Sequence, residues 1–330
     1  MNKYFNYNKS YFFKKSIIKI ITYFFENICR IINKSLARKQ TLVRLYLGRE
    51  KIHGINKEIL KKVKNLERSI DWLISLIEQF KNCYYPIVPG ILNKCEINRL
   101  IYEEYKDTDL FAVKQNFFAG FNSGEKKMIE KYMNDAGKIL ILAGGNGREG
   151  VWFAEKNMEV ICIDYVEKNI ESGIKLANEN KLNIKFILGD VQKPDDLLTD
   201  IGALAGFKYI LFSTYTLIPT RKKRLEILNK LHKYLASDGK LLISFPCYEE
   251  FLHPSKYKIT FFVFEFLNNF FKCINKDFEK GDIFNGAIYK HLYKDRDAIR
   301  REISLADFKI IDSHLGKYIL APMEVTAGES

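Results

Sequence analysis

Hydrophobic positions fall into two patterns along the chain. In the first 80 residues they recur at helical spacing. Ile17, Ile21, Phe24, Ile28 and Ile31 form one stripe, and the same phase runs on to Leu42 and Leu45. Gly48 and His53-Gly54 interrupt it, and Asn56 is placed to cap a second helix. There Ile59, Val63, Leu66, Ile70, Leu73, Ile77 and Phe80 keep a heptad, so the pair predicts an antiparallel helical hairpin. Residues 84–90, with two prolines and a glycine, read as a linker, followed by a helix over 92–105.

From residue 138 the pattern changes to short apolar runs between polar turns. Residues 139–143 predict a strand buried on both faces and 159–163 a second buried strand; 184–188 predict a third, 207–215 a fourth with its exit loop and 240–244 a fifth. Between the last two, Leu225, Leu228, Leu231 and Leu235 mark a helix, and Ser237-Asp238-Gly239 a turn. Residues 288–293 predict a sixth strand, 297–306 a helix and 308–312 a seventh strand. The alternation defines an α/β, doubly wound, Rossmann-like sheet behind an N-terminal helical extension. The expected division is a basic amphipathic helical region (1–85), a linker and lid helix (86–120) and the sheet domain (121–330).

Chemistry concentrates where the first run ends, in Ala143-Gly144-Gly145-Asn146-Gly147 ahead of a helical pattern. Glycine lets the backbone approach a ligand closely, and a helix start offers free N–H groups. The second strand ends in Asp164, seventeen residues past Gly147, where a carboxylate can accept from two ribose hydroxyls. That arrangement suits NAD or S-adenosyl-L-methionine (SAM) equally. The third strand ends Gly189-Asp190-Val191.

Taken in order, these segments resemble the class I SAM-dependent methyltransferases over about residues 121–320. The resemblance implies that Gly145 and Gly147, with Ala143 and Gly144, pass close to the methionine part of SAM. It implies that Asp164 with Tyr165 holds the ribose, and that Asp190 and Val191 frame the adenine. Ser213, in the loop after the fourth strand, would lie beside the reactive methyl group. Two positions depart from the family pattern: Ile141 replaces a customary acid and Ala143 a customary glycine. The segment 116–124 would fold over the cofactor with Phe118 and Phe121 as lid residues, and 304–308 stands where relatives carry Ala-Gly-Phe. The aromatic insertion at 259–271 would build a substrate wall, although a dimer interface has the same composition.

Methyl transfer asks mainly for positioning, so no loud catalytic signature is required. Tyr215, His253, Tyr289 and His291 are the polar candidates on the acceptor side, with His291 as the general base and Tyr215 as the second catalytic residue. The loop Ser213-Thr214-Tyr215-Thr216 lacks the Asp/Asn-Pro-Pro-aromatic motif of amino-methylating nucleic-acid enzymes, and Cys247 lacks the second Pro-Cys of RNA cytosine-C5 enzymes. The expected substrate is therefore a small metabolite or natural-product peptide. The alternatives are an RNA methyltransferase and a non-catalytic scaffold with a degenerate SAM site.

Charge adds a second theme. Of the formal +13, residues 1–68 account for all, with 17 Lys/Arg against 4 Asp/Glu. Such an arm suits RNA, an anionic membrane surface or an acidic peptide, and its aromatics also describe an interfacial helix. The hairpin could equally pair two copies into a homodimer. Lysines interrupt the apolar stretch 11–32, so no transmembrane span is expected. Six scattered cysteines without a C-x-x-C pair, and no signal-peptide pattern, lead to a cytoplasmic expectation with no metal site.

Overall fold

The computed structural model describes residues 57–83, 85–106, 114–193, 206–248, 258–284 and 288–323, with Tyr23, Arg30, Ile32, Lys34, Asp195 and Thr199 singly. The stripe from Ile17 to Ile31, Leu42, Leu45, Asn56, Tyr84 and His253 lie outside the described residues. In chain order the helices are α1 (Lys57–Cys83), α2 (Ile87–Ile91), α3 (Lys94–Lys106), α4 (Lys114–Phe117), α5 (Ser123–Tyr132), α6 (Arg148–Ala154), α7 (Glu167–Glu179), α8 (Arg221–Tyr234), α9 (Lys258–Ile274) and α10 (Arg296–Ser304). The sheet strands are β1 (Lys138–Leu142), β2 (Glu159–Asp164), β3 (Ile184–Leu188), β4 (Phe207–Phe212), β5 (Leu235–Ser244), β6 (Phe308–His314) and β7 (Lys317–Pro322).

Contacts divide the chain into two units. A helical unit draws on Met1–Glu96 and Leu252–Ala287, and a sheet unit on Ile97–Phe251 and Ile288–Ser330. In the helical unit α2, inside the stretch read as a linker, is a buried five-residue helix. Its final carbonyls are satisfied by a side chain from far along the chain: Asn275 Nδ2 donates to the Gly90 and Leu92 oxygens, each at 2.9 Å. Gly90 is required because a Cβ there would lie 2.2 Å from the Phe271 ring. In α1 the predicted stripe is only partly covered, with Ile70 buried but Leu66 and Leu73 exposed.

The sheet unit holds seven strands in the order β3-β2-β1-β4-β5-β7-β6. β1 to β5 run parallel, and β7 joins β5 antiparallel. Alternate residues of β1 serve opposite faces. Leu140 and Leu142 join Ile227, Leu228 and Leu231 of α8 and Ile299 and Ile303 of α10. Ile139 and Ile141 join Met128 and Ile129 of α5 and Phe153 of α6. Burial on both faces is why residues 139–142 of β1 read as an unbroken apolar run.

One expectation is corrected at the sheet edge. Tyr289–His291 stays out of the seven-stranded sheet, and strands six and seven are instead the hairpin β6–β7. Leu315 and Gly316 form its turn with φ of 47° and 71°, the paired left-handed geometry that closes a two-residue hairpin. Leucine gave no turn signal there. Ser237-Asp238-Gly239 is absorbed into β5 as an irregularity: Phe207 pairs with Leu235 and Tyr209 with Lys240.

Two residues at positions where the resemblance sets a glycine take left-handed backbone. Ala143 has φ 51° and Asp307 has φ 55°. A left-handed alanine carries a steric cost, so Ala143→Gly is expected to stabilise the fold by about 1 kcal/mol. A raised melting temperature would confirm the strain at Ala143. A lowered one would refute it.

Candidate functional site

The order of the sheet reverses between β1 and β4, and the carboxyl edge at such a reversal is where α/β sheets bind ligands. At this edge β1 runs into the glycine turn. Gly145 (φ 57°) and Gly147 (φ 93°) both take left-handed backbone, and a Cβ on Gly147 would lie 2.7 Å from the Phe186 ring. Gly144 sits above Cys162 Sγ and Ile141 Cγ2, which a Cβ would meet at 2.5 and 2.8 Å. Ile141 thus supports the turn from below as part of the core, and an acid at that position would be buried among apolar groups.

Asp164, at the tip of β2, is the keystone of this edge. Its Oδ2 accepts from the Gly145 amide at 2.8 Å and its Oδ1 from the Val166 amide at 2.9 Å. Burial pushes its carboxyl above the ordinary range, while hydrogen bonds from Val166, Gly145, Asn169 and Tyr165 pull the other way. Beside it, Tyr165 packs against two tyrosines of α3: Tyr102 with ring centroids at 5.6 Å and Tyr105 at 6.5 Å. Burial, then the charge of Asp164, pushes the Tyr105 hydroxyl up to about 12, and the same pair of causes raises Tyr165 further. Asp190 is exposed and its Oδ1 accepts from the Gln192 amide, while Val191 next to it is buried.

The segment expected as a lid is anchored through Phe117. Phe118 is 45% exposed, and Phe121 packs edge-on against Trp152 and Phe153. The residue driven inward is Phe117, fully buried against Val151, Leu176 and Ala177. Its neighbour Asn116 donates to Oδ1 of Asn146, the buried asparagine of the glycine turn, at 3.0 Å. In the run Phe117-Phe118 the sequence offered no means of choosing which ring turns inward.

On the other side of the edge, β4 leads through Ser213 and Thr214 into the single turn Tyr215–Leu217. This turn packs against the Tyr289–His291 segment, so Tyr215 and His291 are brought to the same rim. His291 is buried, its ring edge-on to Tyr293 at 5.0 Å. Tyr215 is committed elsewhere. Its hydroxyl donates to Glu302 Oε1 at 2.7 Å, and that oxygen also accepts from Tyr293 at 2.5 Å and from Arg224 Nε at 3.1 Å. Burial then holds the Tyr215 hydroxyl well above its ordinary value, which opposes proton release.

This buried cluster was missed in the sequence, because Glu302, Tyr293, Arg224 and Tyr215 are spread over some 90 positions and no spacing links them. Burial alone would raise the Glu302 carboxyl, but the Arg224 charge and the two hydroxyls outweigh it and hold it below the ordinary range. Its contribution to stability is therefore present above the unfolded carboxylate pKa and is lost as pH falls through the depressed folded value.

Several buried polar atoms at this edge have no hydrogen-bond partner among the described residues: the Tyr165 hydroxyl, Asn169 Oδ1, Thr214 Oγ1 and Ser244 Oγ. They follow β2, open α7, follow β4 and end β5. Unmet buried groups of this kind are costly, and a polar ligand at the strand ends would satisfy them. Together with the left-handed glycines and the Asp164 carboxylate, the residues present fit SAM.

Strand order, glycine turn and acidic strand tip define a Rossmann-like nucleotide-binding domain. Residues 133–298, half of the chain, match the family model described as a methyltransferase domain. No curated protein matches the sequence. Among solved structures, the chain is similar to the PH0226 protein of Pyrococcus horikoshii OT3 (17% identity, 65% of this chain and 99% of that one, TM-score 0.45). It is also similar to a SAM-dependent methyltransferase of Methanosarcina mazei (15% identity, 62% and 100%, TM-score 0.43). A third similar structure is the 1,6-didemethyltoxoflavin-N1-methyltransferase of Burkholderia thailandensis (13% identity, 69% and 87%, TM-score 0.45). The chain belongs to the class I SAM-dependent methyltransferases; it is an enzyme, and its cofactor is S-adenosyl-L-methionine.

Glu302→Gln leaves Arg224 buried without its counter-charge and is expected to cost about 3–5 kcal/mol. Urea unfolding at neutral pH measures it. A loss under about 1 kcal/mol, the size of an exposed pair, would show that the cluster is not the anchor described.

Proposed function

We propose that this enzyme transfers the SAM methyl group to a small metabolite or a natural-product peptide in the cytoplasm. The observation that carries the substrate class is electrostatic. The sheet unit, which holds Ala143, Gly144, Gly145, Gly147, Asp164, Tyr165, Asp190, Val191, Ser213, Tyr215 and His291, has 29 Lys/Arg against 29 Asp/Glu. A polyanion such as RNA would meet no net attraction from that unit. Free thiols at Cys95, Cys162, Cys247 and Cys273 are in keeping with a reducing compartment.

When bound, SAM supplies the electrophilic methyl group. The chain's own part is placement. Ala143, Gly144, Gly145 and Gly147 offer backbone to the methionine end, and Asp164 accepts from the ribose hydroxyls with Tyr165 alongside. Asp190 and Val191 border the adenine, and Ser213 with Thr214 lines the approach to the acceptor. His291, on the same rim as the Tyr215 turn, takes the acceptor proton as general base. Tyr215 serves as a positioning residue: tied to Glu302, it fixes the turn that carries the acceptor rim.

Asp164→Ala removes the ribose acceptor and the tether on the Gly145 amide together. It is expected to weaken SAM binding by about 1–3 kcal/mol. Unchanged calorimetric affinity would take Asp164 out of the site. The substrate class is tested with methyl-labelled SAM and a lysate separated into RNA, protein and small-molecule fractions. Label in a small molecule or peptide is the expected result. Label in RNA that nuclease removes would overturn the proposed class.

A further inference from the structure

The acceptor rim carries one cation that no described acid balances. Lys290 lies in the Tyr289–His291 strand, between two buried residues. Side chains alternate along a strand, so Lys290 leaves the side opposite to Tyr289 and His291, and it is half-buried there. Among the described residues its ammonium has no hydrogen bond and no ion pair. Burial, then the like charge of Lys317, push it below the ordinary lysine range.

The neighbouring charges are already spent on one another. Lys317 Nζ pairs with Glu125 Oε1 at 2.7 Å, and Arg148 lies 3.8 Å from Oε2 of the same carboxylate. Arg148 opens α6 directly after Gly147, and its other partner is Glu149. Two carboxylates thus answer Arg148 and Lys317, and Lys290 is left over. A polar atom on the same edge is in the same condition. Ser244 ends β5 opposite Lys317 in the register, so the two side chains share a face, and the Ser244 hydroxyl is buried without a hydrogen-bond partner among the described residues. The chain that follows Lys290 runs along the exit of β5, where the Tyr293 amide donates to the Pro246 oxygen at 2.9 Å and the Tyr248 amide to the Tyr293 oxygen at 3.0 Å.

A half-buried ammonium and a buried hydroxyl left open are each costly. A carboxylate or phosphate answers both, supplying charge to the one and accepting a hydrogen bond from the other. One ammonium matches one acid group, whereas a polyanion needs a row of them. We propose that Lys290, with the Ser244 hydroxyl, holds an acid group of the acceptor, so that the substrate is a small molecule or peptide bearing a carboxylate or phosphate. The subsite rests on the small-acceptor reading, and it does not depend on which group removes the proton.

The product formed from methyl-labelled SAM and the small-molecule fraction of a lysate is passed over an anion exchanger. Retention of the label is expected. A labelled product that flows through overturns the acid group and keeps the small acceptor; label found only in RNA overturns the small acceptor, and the subsite with it. Lys290→Met removes the charge at similar length. With the retained fraction as acceptor, it is expected to raise the apparent KM about ten- to a hundredfold with kcat much less changed, and Lys290→Arg to restore most of the loss. An unchanged KM overturns the proposal. The melting temperature of Lys290→Met is expected to hold or rise, because an unpaired half-buried charge is lost, whereas removal of a structural lysine lowers it. Its calorimetric affinity for SAM is expected to stay unchanged; a weakening of about tenfold with the acceptor KM unmoved would assign the anion to the carboxylate of SAM instead. Another readout requires no acceptor. Inorganic phosphate, compared with chloride at equal ionic strength, is expected to raise the melting temperature of the S-adenosylhomocysteine-loaded wild type and not that of Lys290→Met. Equal shifts in both, or none in either, overturn the proposal.

Discussion

The cofactor edge of the sheet unit depends on one buried carboxylate. Asp164 closes β2 and spends an oxygen on each of two backbone amides, Gly145 across the sheet and Val166 in its own turn. The first bond fixes the glycine turn relative to the neighbouring strand. The second aims the chain toward Tyr165 and α7. An aspartate is short enough to do both from a strand tip, and burial makes its unpaired state expensive.

Glu302 plays the matching role on the acceptor rim, with different physics. It gathers the Tyr215 turn, α8 through Arg224, and Tyr293 on one carboxylate oxygen. A buried ion pair of this kind adds little net stability over an apolar replacement, but it cannot be half-removed without a large penalty. Its effect is to fix where the loop after β4 stands. That matters in a reaction whose catalysis lies mainly in holding an acceptor atom in line with a methyl group.

Charge and chemistry are kept in separate parts of the chain. The neutral sheet unit carries the glycine turn and the Asp164 strand tip, and the sequence of the helical unit carries the entire positive excess.

By itself the sequence determined the parallel sheet, the glycine turn and the acidic strand tip, because these are local. Strands buried on both faces must be apolar throughout, and a backbone turned left-handed at Gly145 and Gly147 selects glycine. Only the tertiary structure decided the rest. The Leu315-Gly316 hairpin moved the last two strands, since sheet pairing over β6 and β7 outweighed the poor turn chemistry of leucine. Phe117 rather than Phe118 was buried, since only one ring could meet Val151 and Leu176. The Glu302 cluster and the Tyr102–Tyr165 contact join residues far apart in the chain, and α9 hides one face while leaving the other bare. Periodicity tells which residues are apolar; only the packed neighbours tell which of them are covered.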